Sequence, residues 1–174
     1  MLKTLRQIAS IGIVTEPAPA SDEQLRLIRR LNAAIEARLA RALTIRHVDA
    51  GSCNACELEL HALNNPLYNL EGLNVRFVAS PRHADLLLVT GPVSRNMELA
   101  LLRTYEAVPD PKLVVAAGQC ACTGGIFGES YASCGPLSRV IPVDVNVPGC
   151  PPTPRHLMQG ILAALTTPSS AARS

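Results

Sequence analysis

The most reactive side chains of the chain are its six cysteines, and most of them lie in segments that contain glycine. Three such segments occur: Gly51-Ser52-Cys53-Asn54-Ala55-Cys56-Glu57-Leu58-Glu59, Gly118-Gln119-Cys120-Ala121-Cys122-Thr123-Gly124-Gly125 and Pro148-Gly149-Cys150-Pro151-Pro152. Thiolates bind soft metals, and glycine flanks with a Cys-x-x-Cys spacing favour metal ligation or redox chemistry over disulfides. We interpret the three segments as the walls of one iron–sulfur site.

The number of cysteines suits more than one kind of metal. Four thiolates can hold a 4Fe–4S cluster or a structural zinc ion. Structural zinc sites usually use two close pairs of cysteines. Here a single close pair, Cys53 and Cys56, is joined by well-separated cysteines. Cys150 precedes a proline, a placement also found in ferredoxin motifs. The arrangement therefore favours the cluster.

The metal ligand in the second segment is ambiguous, because Cys120 and Cys122 are both candidates. For Cys122 and for Cys134 we favour the simpler interpretation, a small thiol packed inside the protein. Cys53 and Cys56 also have the spacing of a thioredoxin-like redox pair. That interpretation leaves the two later segments unexplained.

Composition restricts the classes of protein to be considered. The formal net charge is only +2 and no dense basic block is present, which argues against a nucleic-acid partner. No apolar run approaches the roughly 18 residues that a membrane-spanning helix needs. Arg6, Gln7 and Ser10 interrupt the apolar start of the chain, which is therefore not a convincing signal peptide. A protein that faces the cytosol is expected.

Apolar patterns predict strands that alternate with helices. The strand candidates are residues 44–48, 75–78, 84–89, 112–117 and 140–147. The helix candidates are a segment that follows the N-cap Ser21 and runs to Leu39, then residues 57–63, 97–107 and 154–165. Ser21 and Gln24 form a capping box at the first of these helices. Its arginines, with Arg38 among them, are interpreted as a solvated face or as contacts to an acidic partner.

This alternation predicts an α/β fold, a doubly wound parallel sheet with helices on both faces. In such sheets ligands bind beyond the carboxyl ends of the strands. Cys53, Cys120 and Cys150 each lie a few residues beyond a predicted strand end. Because parallel strands point the same way, we expect the three loops to emerge at one edge and to converge on one cluster.

The same motifs resemble a known family. The chain resembles the small subunits of membrane-bound, energy-converting group 4 nickel–iron hydrogenases of the formate hydrogenlyase type. It is also similar to the homologous 20-kDa iron–sulfur subunit of respiratory complex I. The resemblance is carried by residues 51–59, by Gly118-Gln119-Cys120 with Gly124-Gly125, and by residues 141–152. Complex I subunits carry adjacent cysteines at the first motif, so the Cys-x-x-Cys spacing favours the hydrogenase branch.

The resemblance implies a flavodoxin-like domain that holds the 4Fe–4S cluster proximal to a catalytic large subunit. By motif matching, the cluster ligands are Cys53, Cys56, Cys120 and Cys150. Cys122 and Cys134 fall outside the pattern. The implied organisation is an N-terminal arm and helix for partner docking (1–43), a cluster domain (44–166) and a flexible tail (167–174).

The resemblance also implies a function. The chain is expected to be a non-catalytic electron-relay subunit of an oxidoreductase complex. The implied partners are a nickel–iron hydrogenase-type large subunit, a ferredoxin-like iron–sulfur subunit and membrane-arm subunits. The sequence contains no twin-arginine leader, which favours a peripheral position on the cytoplasmic side of the inner membrane. Glu59 is a candidate proton relay, whereas Glu57 is interpreted as a surface or interface carboxylate.

Two other functions remain open from sequence. The same relay could serve a quinone-reducing complex related to complex I, fed by NADH or ferredoxin, or a nickel-free relative. The metal content of the partner distinguishes these cases. The chain could instead be a zinc-stabilised binding module without a redox role, in which case the purified protein would contain zinc and no acid-labile sulfide.

Overall fold

A computed structural model describes residues 2–11 and 22–167 of the chain. Its strands are β1 (Leu43–Asp49), β2 (Val75–Phe77), β3 (Leu86–Thr90), β4 (Val93–Ser94), β5 (Leu113–Ala117), β6 (Ser133–Gly135) and β7 (Val145–Val147). Its α-helices are α1 (Leu2–Ile11), α2 (Asp22–Leu39), α3 (Ala55–Ala62), α4 (Arg95–Ala107), α5 (Gln119–Thr123) and α6 (Pro154–Thr166). Short 3-10 helices lie at Leu70–Leu73, Pro81–His83 and Leu137–Arg139.

Five strands form one parallel sheet in the order β2-β1-β3-β5-β7. If these five strands are renumbered along the chain, the order is 2-1-3-4-5, which is that of flavodoxin-like folds. Every residue of β3 and β5 is buried, as their unbroken apolar sequences predict for strands covered on both faces. The predicted flavodoxin-like α/β fold is therefore confirmed.

Helices cover the two faces of the sheet over separate apolar cores. On one face, α2, α3 and α6 contribute buried side chains such as Leu31, Leu60 and Ile161. On the other face, α4 and α5 contribute Leu101 and Ala121. Because both faces are covered, the carboxyl edge of the sheet is the place where loops can assemble a site.

The helix α2 is part of the first core. Leu31 is completely buried, and the Nη1 atom of Arg38 donates hydrogen bonds to the carbonyl oxygens of Leu165 (2.6 Å) and Thr167 (2.8 Å). Arg38 therefore satisfies carbonyl groups at the end of α6. The sequence-based interpretation of this arginine as a solvated or partner-facing residue was wrong, because the end of α6 lies within its reach.

Replacing Leu31 with alanine is expected to lower the free energy of unfolding by about 2–5 kcal/mol, because a fully buried leucine leaves a cavity when it is truncated. Denaturant titration of the purified complex or chain measures the loss. Leu25→Ala is the matched control, since Leu25 lies on the same helix with 45% of its surface exposed. Equal effects of the two substitutions would contradict the packing of α2 against the sheet.

The last sheet strand is shorter than its apolar pattern predicts. β7 takes up only Val145–Val147 of the predicted segment 140–147. Pro142 has no N–H to contribute to a sheet ladder. The carboxylate of Asp144 accepts a hydrogen bond from the backbone N–H of Val114 at 2.8 Å. Asp144 therefore joins β5 through its side chain and also through its backbone N–H, which donates to the carbonyl oxygen of Val114 at 3.0 Å, just before β7 begins.

A small antiparallel ribbon, formed by β4 and β6, is not predicted by sequence. Val93 pairs with Gly135, and Ser94 pairs with Ser133. Each strand is too short for a periodic pattern to be visible. The ribbon joins the segment after β3 to the segment after α5, so it braces the loops at the carboxyl edge.

Some sequence predictions concern residues outside the described part of the chain. The capping box at Ser21 and nearly all of the tail 167–174 are among them. The division into residues 1–43 and 44–166 stays a prediction, as does the docking role of the first part. Among residues 2–11 and 22–167, no helix is both long and apolar enough to cross a lipid bilayer.

Candidate metal centre

Three loops carry the cysteines of the candidate site at the carboxyl edge of the sheet. The loop after β1 carries Cys53 and leads into α3 with Cys56 in its first turn. The loop after β5 leads into α5 with Cys120, and the loop after β7 carries Cys150. Since β1, β5 and β7 belong to one parallel sheet, all three loops leave it at the same edge.

Backbone hydrogen bonds join the second and third loops directly. The N–H of Gly118 donates to the carbonyl oxygen of Val147 at 2.8 Å, and the N–H of Gln119 donates to that of Gly149 at 2.7 Å. These bonds extend the pairing of β5 with β7 beyond the strand ends. The two loops are thereby held together by the protein itself, whatever they bind.

The thiols of Cys53, Cys56, Cys120 and Cys150 lie close enough to affect one another. The pKa of the Cys56 thiol is raised to about 12, mainly by burial and then by the negative charges of Glu57 and the other three thiolates. The pKa of Cys120 is also raised by burial, with contributions from Cys150 and Cys53. Like charges disfavour one another's ionisation, so a cationic metal centre is what would stabilise four thiolates here.

The two remaining cysteines have other surroundings. Cys122 is half-buried, and its thiol donates toward the carbonyl oxygen of Ala116 at 3.5 Å while it packs against the second core. Cys134 is buried, and its thiol donates to the carboxylate of Glu98 at 3.3 Å. These contacts agree with the interpretation of both as thiols packed inside the protein.

Glycine backbone approaches two of the sulfur atoms. Gly118 has φ +94°, and a Cβ atom there would lie 2.6 Å from Sγ of Cys56. Gly125 has φ +56°, and a Cβ atom there would lie 2.7 Å from Sγ of Cys120. Only glycine combines a positive φ with this proximity at low cost. The glycines of the second segment therefore make room for the thiols.

The site is buried on one side and open on the other. Cys56 is 8% exposed, whereas Cys53 and Cys150 are exposed. Beyond α5 the loop also exposes two large apolar side chains, Ile126 and Phe127, at 94% and 51%. Exposed apolar side chains beside a functional site are typical of a surface that a partner protein covers.

The two carboxylates that follow the cysteine pair differ in environment. Glu57 is only 7% exposed, and it accepts hydrogen bonds from Ser52 Oγ at 2.5 Å and from Thr90 Oγ1. The interpretation of Glu57 as a surface or interface carboxylate was therefore wrong. Glu59 is half-buried, and its role as a proton relay stays a prediction.

His47 lies on the other side of Thr90 from Glu57 and adds another polar side chain to this hydrogen-bonded group. Its Nε2 atom lies 2.9 Å from Thr90 Oγ1 and 3.8 Å from the Glu57 carboxylate. Thr90 has one hydroxyl proton, which it donates to Glu57, so it accepts from His47 and the imidazole carries its proton on Nε2. Burial lowers the pKa of His47 in spite of the nearby carboxylates. The imidazole is therefore neutral near pH 7.

Neutral burial of His47 makes the stability of the protein depend on pH. Below the unfolded-state pKa of about 6.5 the unfolded chain binds a proton that the folded chain excludes. The free energy of unfolding is therefore expected to fall as pH drops from about 6.5 toward the lowered pKa of the folded state. Denaturant titration of the wild type and of His47→Gln, which keeps a neutral donor, should show a smaller acid loss in the variant. Equal losses would contradict the buried neutral imidazole.

Comparison with known proteins gives the family. Residues 53–164 match the family described as NADH ubiquinone oxidoreductase, 20 Kd subunit. The match begins at the first candidate ligand and extends almost to the end of α6. The chain belongs to this family. The resemblance that its sequence motifs predict is confirmed.

Relatives of this member of the 20-kDa subunit family occur in hydrogenases and in quinone reductases. It is 45% identical over 145 residues to a probable membrane-bound hydrogenase subunit (mbhJ) of Pyrococcus furiosus, over 83% of this chain and 86% of the relative. It is 41% identical over 138 residues to formate hydrogenlyase subunit 7 of Escherichia coli, over 79% of this chain and 54% of the relative. It is 44% identical over 108 residues to an NADH-quinone oxidoreductase subunit of Heliobacterium modesticaldum, over 62% of each chain.

Solved structures agree with this relationship. A chain in the structure of the membrane-bound sulfane sulfur reductase, an archaeal respiratory membrane complex, superposes with a TM-score of 0.63 and 36% identity, over 77% of this chain and 72% of that one. A chain of an NAD⁺-reducing [NiFe]-hydrogenase superposes with a TM-score of 0.52 at 21% identity, over 66% of this chain and 85% of that one. The second likeness shows the shared fold.

The cysteine site of this 20-kDa-type subunit fits a cluster in its donor set. Within the described residues, no group of three or more His, Cys, Asp or Glu side chains is arranged around a position for a single metal ion. In a 4Fe–4S cluster each thiolate binds a different iron, so the four thiolates surround a larger body than one ion. Gly118 and Gly125 keep side-chain atoms away from the sulfur atoms of Cys56 and Cys120.

Proposed function

We propose that the chain holds one 4Fe–4S cluster on Cys53, Cys56, Cys120 and Cys150 and relays electrons within a membrane-bound oxidoreductase complex. The observation that carries this proposal is the placement of the four cysteines on three loops at one edge of the parallel sheet, with glycine backbone against two of their sulfur atoms. Four sulfur donors suit iron–sulfur chemistry. Membership of the 20-kDa subunit family supports the same function.

The protein residues around the thiols have three tasks in this function. Gly118 and Gly125 leave space beside the sulfur atoms. The burial of Cys56, which is 8% exposed, keeps water away from one side, which is one means by which a protein adjusts a reduction potential. A bound cluster supplies the capacity to take up and give back one electron. The exposed Cys53 and Cys150 leave the opposite side open, where a partner can come within electron-transfer distance.

We infer that the chain itself is a relay and does not convert a substrate. The polar residues near the thiols, Glu57, Ser52 and Thr90, are engaged with one another. The expected partners are a nickel–iron hydrogenase-type large subunit on the open side, a ferredoxin-like iron–sulfur subunit and membrane-arm subunits. Relatives named as membrane-bound hydrogenase and formate hydrogenlyase subunits support this assembly. The proposed location is peripheral, on the cytoplasmic side of the membrane.

Glu59 is proposed as a proton relay toward the large subunit. It lies in α3 two residues beyond Glu57 and is partly accessible, so it can exchange protons with groups outside this chain. Glu57 is less suited to this task, because its buried carboxylate is held by two hydroxyl groups.

The second candidate is the equivalent subunit of a quinone-reducing complex. The identity to the NADH-quinone oxidoreductase subunit of Heliobacterium modesticaldum supports it, whereas the Cys-x-x-Cys spacing at Cys53 and Cys56 supports the hydrogenase branch. A zinc-stabilised binding module is the third candidate, and four thiolates are the observation that keeps it open.

Exposure of the anaerobically purified complex to hydrogen separates the first two candidates. The hydrogenase proposal predicts nickel in the complex and a cluster signal in electron paramagnetic resonance spectra that appears under hydrogen. The same signal is expected to stay absent under argon. A complex that contains iron without nickel and is reduced only by NADH or ferredoxin would replace this proposal with the quinone-reducing one.

A further inference from the structure

We propose that Glu57 is a positioning residue whose buried carboxylate fixes the loop of Cys53 and Cys56 and holds a negative charge that lowers the reduction potential of the cluster. This inference rests on the proposed function, because it needs a cluster on these thiols. It assigns a role to a buried charged group that is not a ligand.

Glu57 is held by hydrogen bonds to both of its carboxylate oxygens. Ser52 Oγ donates to Oε2 at 2.5 Å, and Thr90 Oγ1 donates to Oε1. Acceptance of hydrogen bonds at both oxygens fits an ionised carboxylate, because a protonated carboxyl group carries an O–H donor on one of its two oxygens. Such charge-assisted hydrogen bonds are the strong ones. The carboxylate is therefore fixed in position.

The same hydrogen bonds fix the backbone around Cys53. Ser52 Oγ accepts from the N–H of Asn54 at 3.0 Å, and Asn54 has the positive φ of +72°. On the preceding turn, the Asp49 carboxylate accepts from the N–H of Gly51 (2.8 Å) and of Ser52 (2.7 Å). Ser52 thus connects Glu57 to the turn that presents Cys53. The loop is prepared for ligation by side chains that do not themselves bind the metal.

The charge of Glu57 lies next to Cys56, a proposed ligand of the cluster that would take up the electron. Glu57 adjoins Cys56 in α3 and is nearly as buried as that cysteine, at 7% against 8% exposed. A buried charge is poorly screened by solvent. His47, on the far side of Thr90, is neutral because burial lowers its pKa. A fixed negative charge here disfavours reduction.

The test is a redox titration of the cluster in the purified complex, followed by electron paramagnetic resonance at one pH. Glu57→Gln removes the charge and keeps the side-chain shape. We expect the ratio of reduced to oxidised cluster at a fixed potential to rise at least about tenfold, equivalent to about 59 mV for a one-electron couple. Glu57→Asp retains the charge, and its potential is expected to return toward that of the wild type. Glu106→Gln is the matched control, because Glu106 is exposed on α4.

Several outcomes would overturn the inference. A loaded Glu57→Gln cluster with the wild-type potential would exclude the electrostatic role. An equal shift in Glu106→Gln, or in Glu57→Asp, would show that the effect is not specific to the charge of Glu57. A cluster lost from both Glu57 variants would show that the loop needs both the length and the charge of this side chain to hold the cluster, and would overturn the claim that Glu57 sets the potential. A wild-type complex without any cluster would refute the proposed function itself, which separates the two failures.

Discussion

Cys150→Ala is expected to lose the iron of this chain's cluster and to abolish electron transfer through the complex. The substitution removes one thiolate from the group formed with Cys53, Cys56 and Cys120, and leaves one iron without a protein ligand. Groups that only orient metal ligands change activity or affinity by roughly 10–100-fold when altered, so loss of a ligand itself should have a larger effect. Iron content, cluster signal and electron transfer to the natural acceptor measure the loss.

Cys122→Ala and Cys134→Ala are the controls for this experiment. Both thiols are packed inside the protein, against Ala116 and Glu98 respectively. Each variant is expected to retain the iron content and the spectrum of the wild type. If Cys150→Ala keeps both signal and turnover, or if Cys122→Ala loses them, the proposed ligand set is incorrect.

Gly118→Ala is the second substitution with a large expected effect. At φ +94° an alanine backbone is strained, which costs about 1–3 kcal/mol. Its Cβ atom would also lie 2.6 Å from Sγ of Cys56, a distance that forces the thiol or the loop to move. We expect the variant to fold, because the strain is local, but to lose most of its cluster. Iron per chain and the visible absorption of the cluster provide the measurement.

Gly128→Ala separates backbone strain from the contact with sulfur. Gly128 also has a positive φ, +54°, but a Cβ atom there would have no neighbour within 4 Å. The control is expected to cost about 1–2 kcal/mol of stability and to keep the cluster. If Gly118→Ala binds as much iron as Gly128→Ala, the close approach of Gly118 to Cys56 does not shape the site.

The architecture follows from the sequence because it depends on patterns that are local. β5 is an unbroken apolar run, and β3 is one up to its last residue, Thr90, as expected of strands covered on both faces. Parallel strands then direct the loops after β1, β5 and β7 to one edge. This strand direction alone predicts that Cys53, Cys120 and Cys150 lie at the same edge. The two-residue strand β4 has no such pattern, and its partner β6 is found only when the chain has folded.

The surroundings of the thiols depend on contacts between distant segments. Glu57 is adjacent to Cys56 in sequence, yet its burial depends on Thr90, which closes β3 on a neighbouring strand. A threonine at the end of an apolar run was the available signal, since a buried hydroxyl group requires a partner. Arg38 similarly gains its role from the end of α6. Sequence gives the residue types but not these pairings.

The central claim is that four cysteines of this chain hold an iron–sulfur cluster. It is tested most directly by metal and acid-labile sulfide analysis of the anaerobically purified native complex, normalised to this chain and compared with Cys150→Ala. The proposal predicts that the variant loses about four iron atoms and about four sulfides per chain relative to the wild type. Identical iron and sulfide in the two preparations would contradict it, as would zinc without iron in the wild type.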